Sequence, residues 1–124
     1  MGGAAQAGDR AVTHEELVAY CLGKPGAEET YPWGDAELVA KVGGKAFAFL
    51  GLSTVGVKCG RDSAEAAEWR DRYPGAITVS SYIGRYGWNA VDFTGPVPDD
   101  DVRELVDASY DAIVQALPRS RRPA

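Results

Sequence analysis

The sequence predicts an α+β domain of two layers, in which helices pack on one face of a single antiparallel sheet. Three observations lead there. Three strand-like segments between residues 36 and 59 are joined by turns too short for a crossover, so they pair antiparallel. Helical periodicity stands before, between and after the strand-like segments, giving the order α-β-β-β-α-β-β-α. The 124 residues have an ordinary soluble composition and suffice for one domain with its own core.

Residues 1–11 are rich in Gly and Ala and offer almost nothing to bury, so a disordered N-terminal tail is expected. The domain then spans 12–118. Thr13 and Glu16 have capping-box spacing, with Val12 and Leu17 at the staple positions. Leu17, Val18, Cys21 and Leu22 form the apolar stripe of this first helix, and Gly23 with Pro25-Gly26 ends it. His14 falls in its first turn and is read as solvated. Glu28 to Gly34 reads as a loop by its Pro and Gly content.

Residues 36–42 alternate imperfectly, with Leu38, Ala40 and Val42 on one face and Glu37, Val39 and Lys41 on the other. Gly43-Gly44 signals a two-residue hairpin. The next strand, Lys45 to Leu52, places Phe47 and Phe49 on one side and Ala46, Ala48 and Leu50 on the other. Thr54 to Cys59 follows, with Gly56 as a candidate bulge.

Asp62 and Glu65 open a second helix, along which Ala66, Trp69 and Tyr73 are spaced to face the core until Pro74-Gly75 stops it. Short strands are expected at 76–80 and 88–94. Asp99, Asp100 and Asp101 then start the last helix, where carboxylates suit the positive end of the helix dipole. Val102, Leu105, Val106, Ser109, Ile113 and Leu117 trace its buried face, and Asp107 and Asp111 fall on the wet side. Pro118 ends it, and 119–124 is a basic C-terminal tail.

Charge narrows the partners. The formal net charge is −5, which speaks against wholesale nucleic-acid binding, but the charge is segregated. Residues 1–40 hold seven acids against two bases, residues 41–88 seven bases against four acids, and residues 89–118 seven acids against Arg103. Arg119, Arg121 and Arg122 follow. A local basic face is therefore compatible with an acidic protein. No apolar run approaches the roughly 18 residues of a membrane span and no secretory signal is visible, so a cytoplasmic location is expected. Cys21 and Cys59 are then reduced core residues, and neither has metal-site spacing with a partner.

No nucleophile, base and acid are arranged for catalysis, and Gly43-Gly44 lacks the following helix of a phosphate-binding loop. The sequence thus points to a binding protein that is not an enzyme and needs no cofactor or metal. Its most distinctive stretch runs from Tyr82 to Phe93, with Tyr82, Arg85, Tyr86 and Trp88 close together. Such aromatics serve a core or, beside a guanidinium, a surface for planar or anionic ligands.

Several fragments, in order, resemble the MmcQ/YjbR family. Lys41-Val-Gly-Gly-Lys-Ala-Phe-Ala is similar to its "KV-GGK-FA" hairpin and Val57-Lys58-Cys59 to its "LKC" strand. Arg72-Tyr73-Pro74-Gly75 resembles "RYPG", and Arg85 to Val91 the "K-x-H-W-N-T-V" signature. The resemblance covers about residues 14–118. It implies a two-layer fold similar to secretion-chaperone-like and frataxin-like domains, and a DNA-binding assignment. Two positions depart: Gly87 replaces the signature His, and Gly84 stands where Asn is common.

Together these readings make DNA the first candidate partner, bound weakly and salt-dependently. Lys41, Lys45, Lys58 and Arg85 would meet phosphates, and Tyr82, Tyr86 or Trp88 would stack on bases. An alternative is a small-molecule or peptide module, with Tyr31 and Trp33 joining those aromatics in one groove around a planar or anionic ligand. A third is a protein-interaction adaptor that uses the acidic first and last helices.

Overall fold

The computed structural model describes residues 12–32, 34, 37–59, 63–80 and 87–123. The expected N-terminal tail, Trp33, Asp62 and the Tyr82, Arg85 and Tyr86 positions lie outside the described residues. The elements follow the order α1 (His14–Leu22), β1 (Ala27–Thr30), β2 (Leu38–Val42), β3 (Lys45–Leu50), β4 (Thr54–Lys58), α2 (Ser63–Arg72), β5 (Ile77–Val79), β6 (Trp88–Asp92) and α3 (Asp99–Ala116). All strands join one antiparallel sheet in the order β1-β2-β3-β4-β6-β5. The α+β class with a single antiparallel sheet holds.

One strand is added to the expected set. Ala27–Thr30 runs antiparallel to β2, from Ala27 opposite Val42 to Thr30 opposite Val39, and Thr30 Oγ1 donates to the Val39 carbonyl at 2.7 Å. Its composition reads as loop because an edge strand buries little and carries charge. Glu28 and Glu29 on this exposed edge also discourage pairing with another molecule.

The capping box of α1 forms in full: Thr13 Oγ1 accepts from the Glu16 amide at 3.1 Å, and Glu16 Oε1 from the Thr13 amide at 3.0 Å. Val12, Leu17 and Cys21 are buried as the pattern requires. His14 is not free in solvent. Its Nδ1 lies 2.9 Å from the Gly51 carbonyl and ties α1 to the β3–β4 turn.

Gly43 and Gly44 turn the β2–β3 hairpin at φ of 58° and 85°, a backbone that favours glycine at both places. The register then shifts: Ala40 pairs with Ala48 but Lys41 with Ala46, leaving Phe47 as an extra residue. This bulge corrects the expected alternation. Phe47 joins the helix-side core, edge-on to Tyr110 at 5.2 Å, whereas Phe49 sits on the far face, 5.4 Å from Trp88. Gly56 is not the bulge. It pairs in register with Phe49, whose ring lies 3.4 Å from where a Cβ would stand, so the glycine makes room for that ring.

Ser109 repairs the ladder beside the bulge. Its Oγ donates to the Phe47 carbonyl at 2.6 Å and accepts from the Lys58 amide at 3.0 Å. On α2, Ala66 is buried and Trp69 and Tyr73 are partly buried against the core. At the start of α3 the Asp99 carboxylate is buried and accepts from Arg103 Nε at 2.6 Å. Asp107 lies on the wet side as expected, and is also bound by Tyr20 at 2.6 Å and by Lys24, which joins α1 to α3.

The segment after Pro118 is more than a tail. Arg119–Arg121 form a 3-10 turn, and Arg122 donates to the Leu117 and Gln115 carbonyls at 3.0 and 2.9 Å, closing the C-terminal end of α3. Pro123 rests on Gly26, its Cγ 3.1 Å from where a Cβ would stand.

Candidate nucleic-acid interface

Because neighbouring strands run in opposite directions, β2 ends, β3 begins, β4 ends and β6 begins at the same end of the sheet. That end, the hairpin end, holds Lys41, Lys45, Lys58 and Trp88. Lys58 stands directly across the ladder from Trp88. Lys41, Lys58 and Trp88 share the face away from the helices, since Ala40, Val42, Val57 and Cys59 beside them serve the helix-side core. Lys45 pairs with Val42 and is exposed at the turn on the helix side.

Among the described residues, none of these three lysines makes an ion pair; the pairs that form are Lys24 with Asp107 and Arg103 with Asp99. Glu28 is the Cα partner of Lys41 and tempers its potential without bonding it. Six acids stand at the opposite end. Glu15 and Glu16 open α1 next to the β3–β4 turn, Asp92 closes β6, and Asp99, Asp100 and Asp101 open α3. The alternation of charge along the chain thus becomes a partial separation of charge along the strands, with Glu28 remaining among the lysines.

Trp88 is buried, with 7% of its surface exposed, and its ring packs against Phe49. It supports the lysine-bearing face and offers no open ring for a base to stack on. Nor does it serve the helix-side core: among the described residues, Trp88 and Val39 are the buried apolar ones that lie outside that cluster. Tyr31 is 44% exposed and stands elsewhere. It lines a cleft of about 320 Å³ with His14, Glu15, Val18, Glu29 and Leu38, on the α1 side of the sheet. Tyr31 and Trp88 therefore do not share a groove, and two carboxylates beside Tyr31 suit a cation better than the anionic ligand expected there.

Asn89, next to Trp88, faces the other way. It is fully buried, accepts from Arg70 Nη1 at 2.7 Å and donates to the Ala66 carbonyl at 2.9 Å, which pins α2 to β6. Gly87 has φ 85° and its carbonyl accepts from the Cys59 amide at 2.8 Å. A residue with a side chain would be strained there, which accounts for glycine at this position.

Both thiols are free and buried. Burial pushes Cys21 up to about 12 and Cys59 up to about 11, so both stay protonated and unreactive at neutral pH. Burial also opposes the charge on Lys24, but the hydrogen bond and charge of Asp107 outweigh it and raise its pKa. Burial and the bond to Asp107 raise Tyr20 as well. Asp92 is lowered because the Thr94 hydroxyl and amide both donate to it, at 2.6 and 2.9 Å. Among the described residues no three His, Cys, Asp or Glu side chains gather as metal ligands, and no helix is long and apolar enough to cross a membrane.

These features define a small α+β domain whose single sheet carries three lysines at one end and a group of six acids at the other. The YjbR family model matches residues 22–112, and the chain belongs to that family. It is 32% identical over 117 residues to the uncharacterized protein YjbR of Escherichia coli K12, covering 90% of this chain and 95% of the relative, with the same values for the protein of strain O157:H7. The crystal structure of Deinococcus radiodurans protein DR2400, a DUF419 domain, superposes with a TM-score of 0.78 at 24% identity, over 88% of this chain and 84% of that one. A Pseudomonas syringae protein superposes with a TM-score of 0.66 at 14% identity, over 82% and 98% of the respective chains. At those identities the two structures speak for the fold alone.

Proposed function

We propose that the protein is a cytoplasmic, non-enzymatic DNA-binding protein that holds the phosphate backbone at the hairpin end with Lys41, Lys45 and Lys58. One observation carries this reading: among the described residues Lys41, Lys45 and Lys58 have no ion-pair partner and stand at one end of the sheet, with Glu28 opposite Lys41, while Glu15, Glu16, Asp92, Asp99, Asp100 and Asp101 stand at the other. An unpaired ammonium is available to a phosphate at no cost in broken ion pairs, and the charge separation orients the molecule on a polyanion. The buried thiols fit a reducing compartment. Three phosphate contacts give weak binding with a salt slope of about −3 on duplex DNA.

The test is a titration of intrinsic Trp fluorescence and of labelled-duplex anisotropy at two salt concentrations, for the native chain and Lys58→Gln. Saturable binding that weakens with salt, with a slope smaller by about 1 in the variant, is expected. Binding that is absent, or indifferent to salt and to Lys58, overturns the reading.

A second reading, a small-molecule-binding module, is favoured by the cleft at Tyr31, whose Glu15 and Glu29 carboxylates would select a cationic ligand with an apolar body for Val18 and Leu38. Titration with short alkylammonium ions, followed through Tyr31 and His14 resonances, tests it; unmoved resonances end it.

A further inference from the structure

The docked C-terminal turn adds two cations to the hairpin end. Residues 119–123 are far from the lysines in sequence, yet two glycines seat them against the sheet. Leu117 closes over Gly43, with Cδ1 2.6 Å from where a Cβ would stand, and the Arg121 carbonyl lies 2.9 Å from the same point. Pro123 packs on Gly26 at the start of β1, and Arg122 is occupied in capping α3. Arg119 and Arg121 are left exposed on a 3-10 turn beside the hairpin that carries Lys45, and among the described residues neither makes an ion pair.

We infer that Arg119 and Arg121 form, with Lys45, a second set of contacts to the same DNA backbone, set on the helix side of the hairpin while Lys41 and Lys58 lie on the far face. The inference rests on the DNA-binding reading above and adds two guanidinium contacts beside Lys45 on the helix side of the hairpin. Pre-organisation supports it. A free arginine tail would lose its chain entropy on binding, whereas this turn is already held by Leu117, Arg122 and Pro123, so little ordering remains. Guanidinium groups also bond phosphate oxygens in pairs, which an ammonium cannot do. The partner that fits cations on two sides of one hairpin turn is a polyanion with phosphates on both flanks of a groove, as in duplex DNA, rather than a single small anion.

The experiment compares the full chain with Arg119→Gln/Arg121→Gln and with Lys58→Gln, each binding a mixed-sequence duplex across a salt series. Arg122 is left in place so that α3 stays capped, and equal unfolding midpoints confirm that the double variant is folded. The double variant is expected to lose about 2 from the magnitude of the salt slope, and Lys58→Gln about 1. Native binding that Lys58→Gln weakens while the double variant leaves slope and affinity untouched overturns this inference alone. Loss in the double variant with none in Lys58→Gln supports it and moves the interface off the far face. Native protein that binds no duplex overturns both readings.

Discussion

Ser109 Oγ donates to the Phe47 carbonyl at 2.6 Å and at the same time accepts from the Lys58 amide at 3.0 Å. The bulge at Phe47 is where the β3–β4 ladder gives way, and one helix hydroxyl satisfies a group on each strand. Ser109→Ala leaves a carbonyl and an amide without their partner in a place where water has little access. The expected loss is about 2–4 kcal/mol of unfolding free energy, from two groups at 1–3 kcal/mol each with partial relaxation. Urea unfolding checks it. A loss under about 0.5 kcal/mol would show that the strands close the gap by themselves.

Gly43 is confined by backbone and by neighbours. Its φ of 58° disfavours a side chain, and a Cβ would meet Leu117 and the Arg121 carbonyl. Gly43→Ala is therefore expected to cost about 1–3 kcal/mol, more than the left-handed backbone alone would. It should also expose the Arg119–Arg122 peptide bonds. Limited trypsin digestion that clips the variant there faster than the native chain would show the displacement; equal clipping would refute it.

Asn89 holds α2 through both of its polar ends. Asn89→Leu keeps the volume but removes the second bond to the Ala66 carbonyl and leaves the Arg70 guanidinium without its partner, at an expected cost of about 1–3 kcal/mol. Amide exchange should report local opening of α2 ahead of α3, because α3 keeps Ser109 and the core beneath it. Uniform loss of protection across both helices would contradict this.

Alkaline pH should weaken the fold, with a sign set by the thiols. Both have folded pKa values above their ordinary 9.0, about 12 for Cys21 and about 11 for Cys59. The unfolded chain releases these protons first, so their contribution is fully present below pH 9 and is lost as pH rises toward 11 and 12. Each thiol costs about 1.4 kcal/mol per pH unit inside its window. Tyr20 and Lys24 are raised too and add to the decline in the same direction. Stability measured from pH 8 to 11 should be flat to about 9 and then fall, and a Cys21→Ala/Cys59→Ala variant, whatever its absolute stability, should fall less steeply. Parallel slopes would refute the assignment.

Much of the fold could be read from residue order because it depends on local chemistry. The capping box of Thr13 and Glu16, the Gly43-Gly44 turn and the buried stripe of α3 each follow from spacing over a few residues. What went unread is what depends on a partner far along the chain. Strand β1 is a strand only because β2 lies beside it, and its acidic composition reflects the edge. Phe47 faces the helices only because a bulge interrupts a pattern that would otherwise pair it with Phe49. His14 reads as solvated because its partner, the Gly51 carbonyl, lies 37 residues away, and the Tyr20 and Lys24 bonds to the half-exposed Asp107 likewise join residues distant in sequence.

The candidate site divides the same way. Sequence alone established the family resemblance, the segregation of charge and the identity of three lysines, because composition and short motifs are properties of the chain itself. Only the tertiary structure decided where those charges go. Antiparallel pairing sends Lys41, Lys45 and Lys58 to one end of the sheet, burial closes the ring of Trp88 against Phe49, and Tyr31 is turned toward α1. Arg119 and Arg121 meet that end because two glycines leave room for the chain to return, a contact no local pattern encodes.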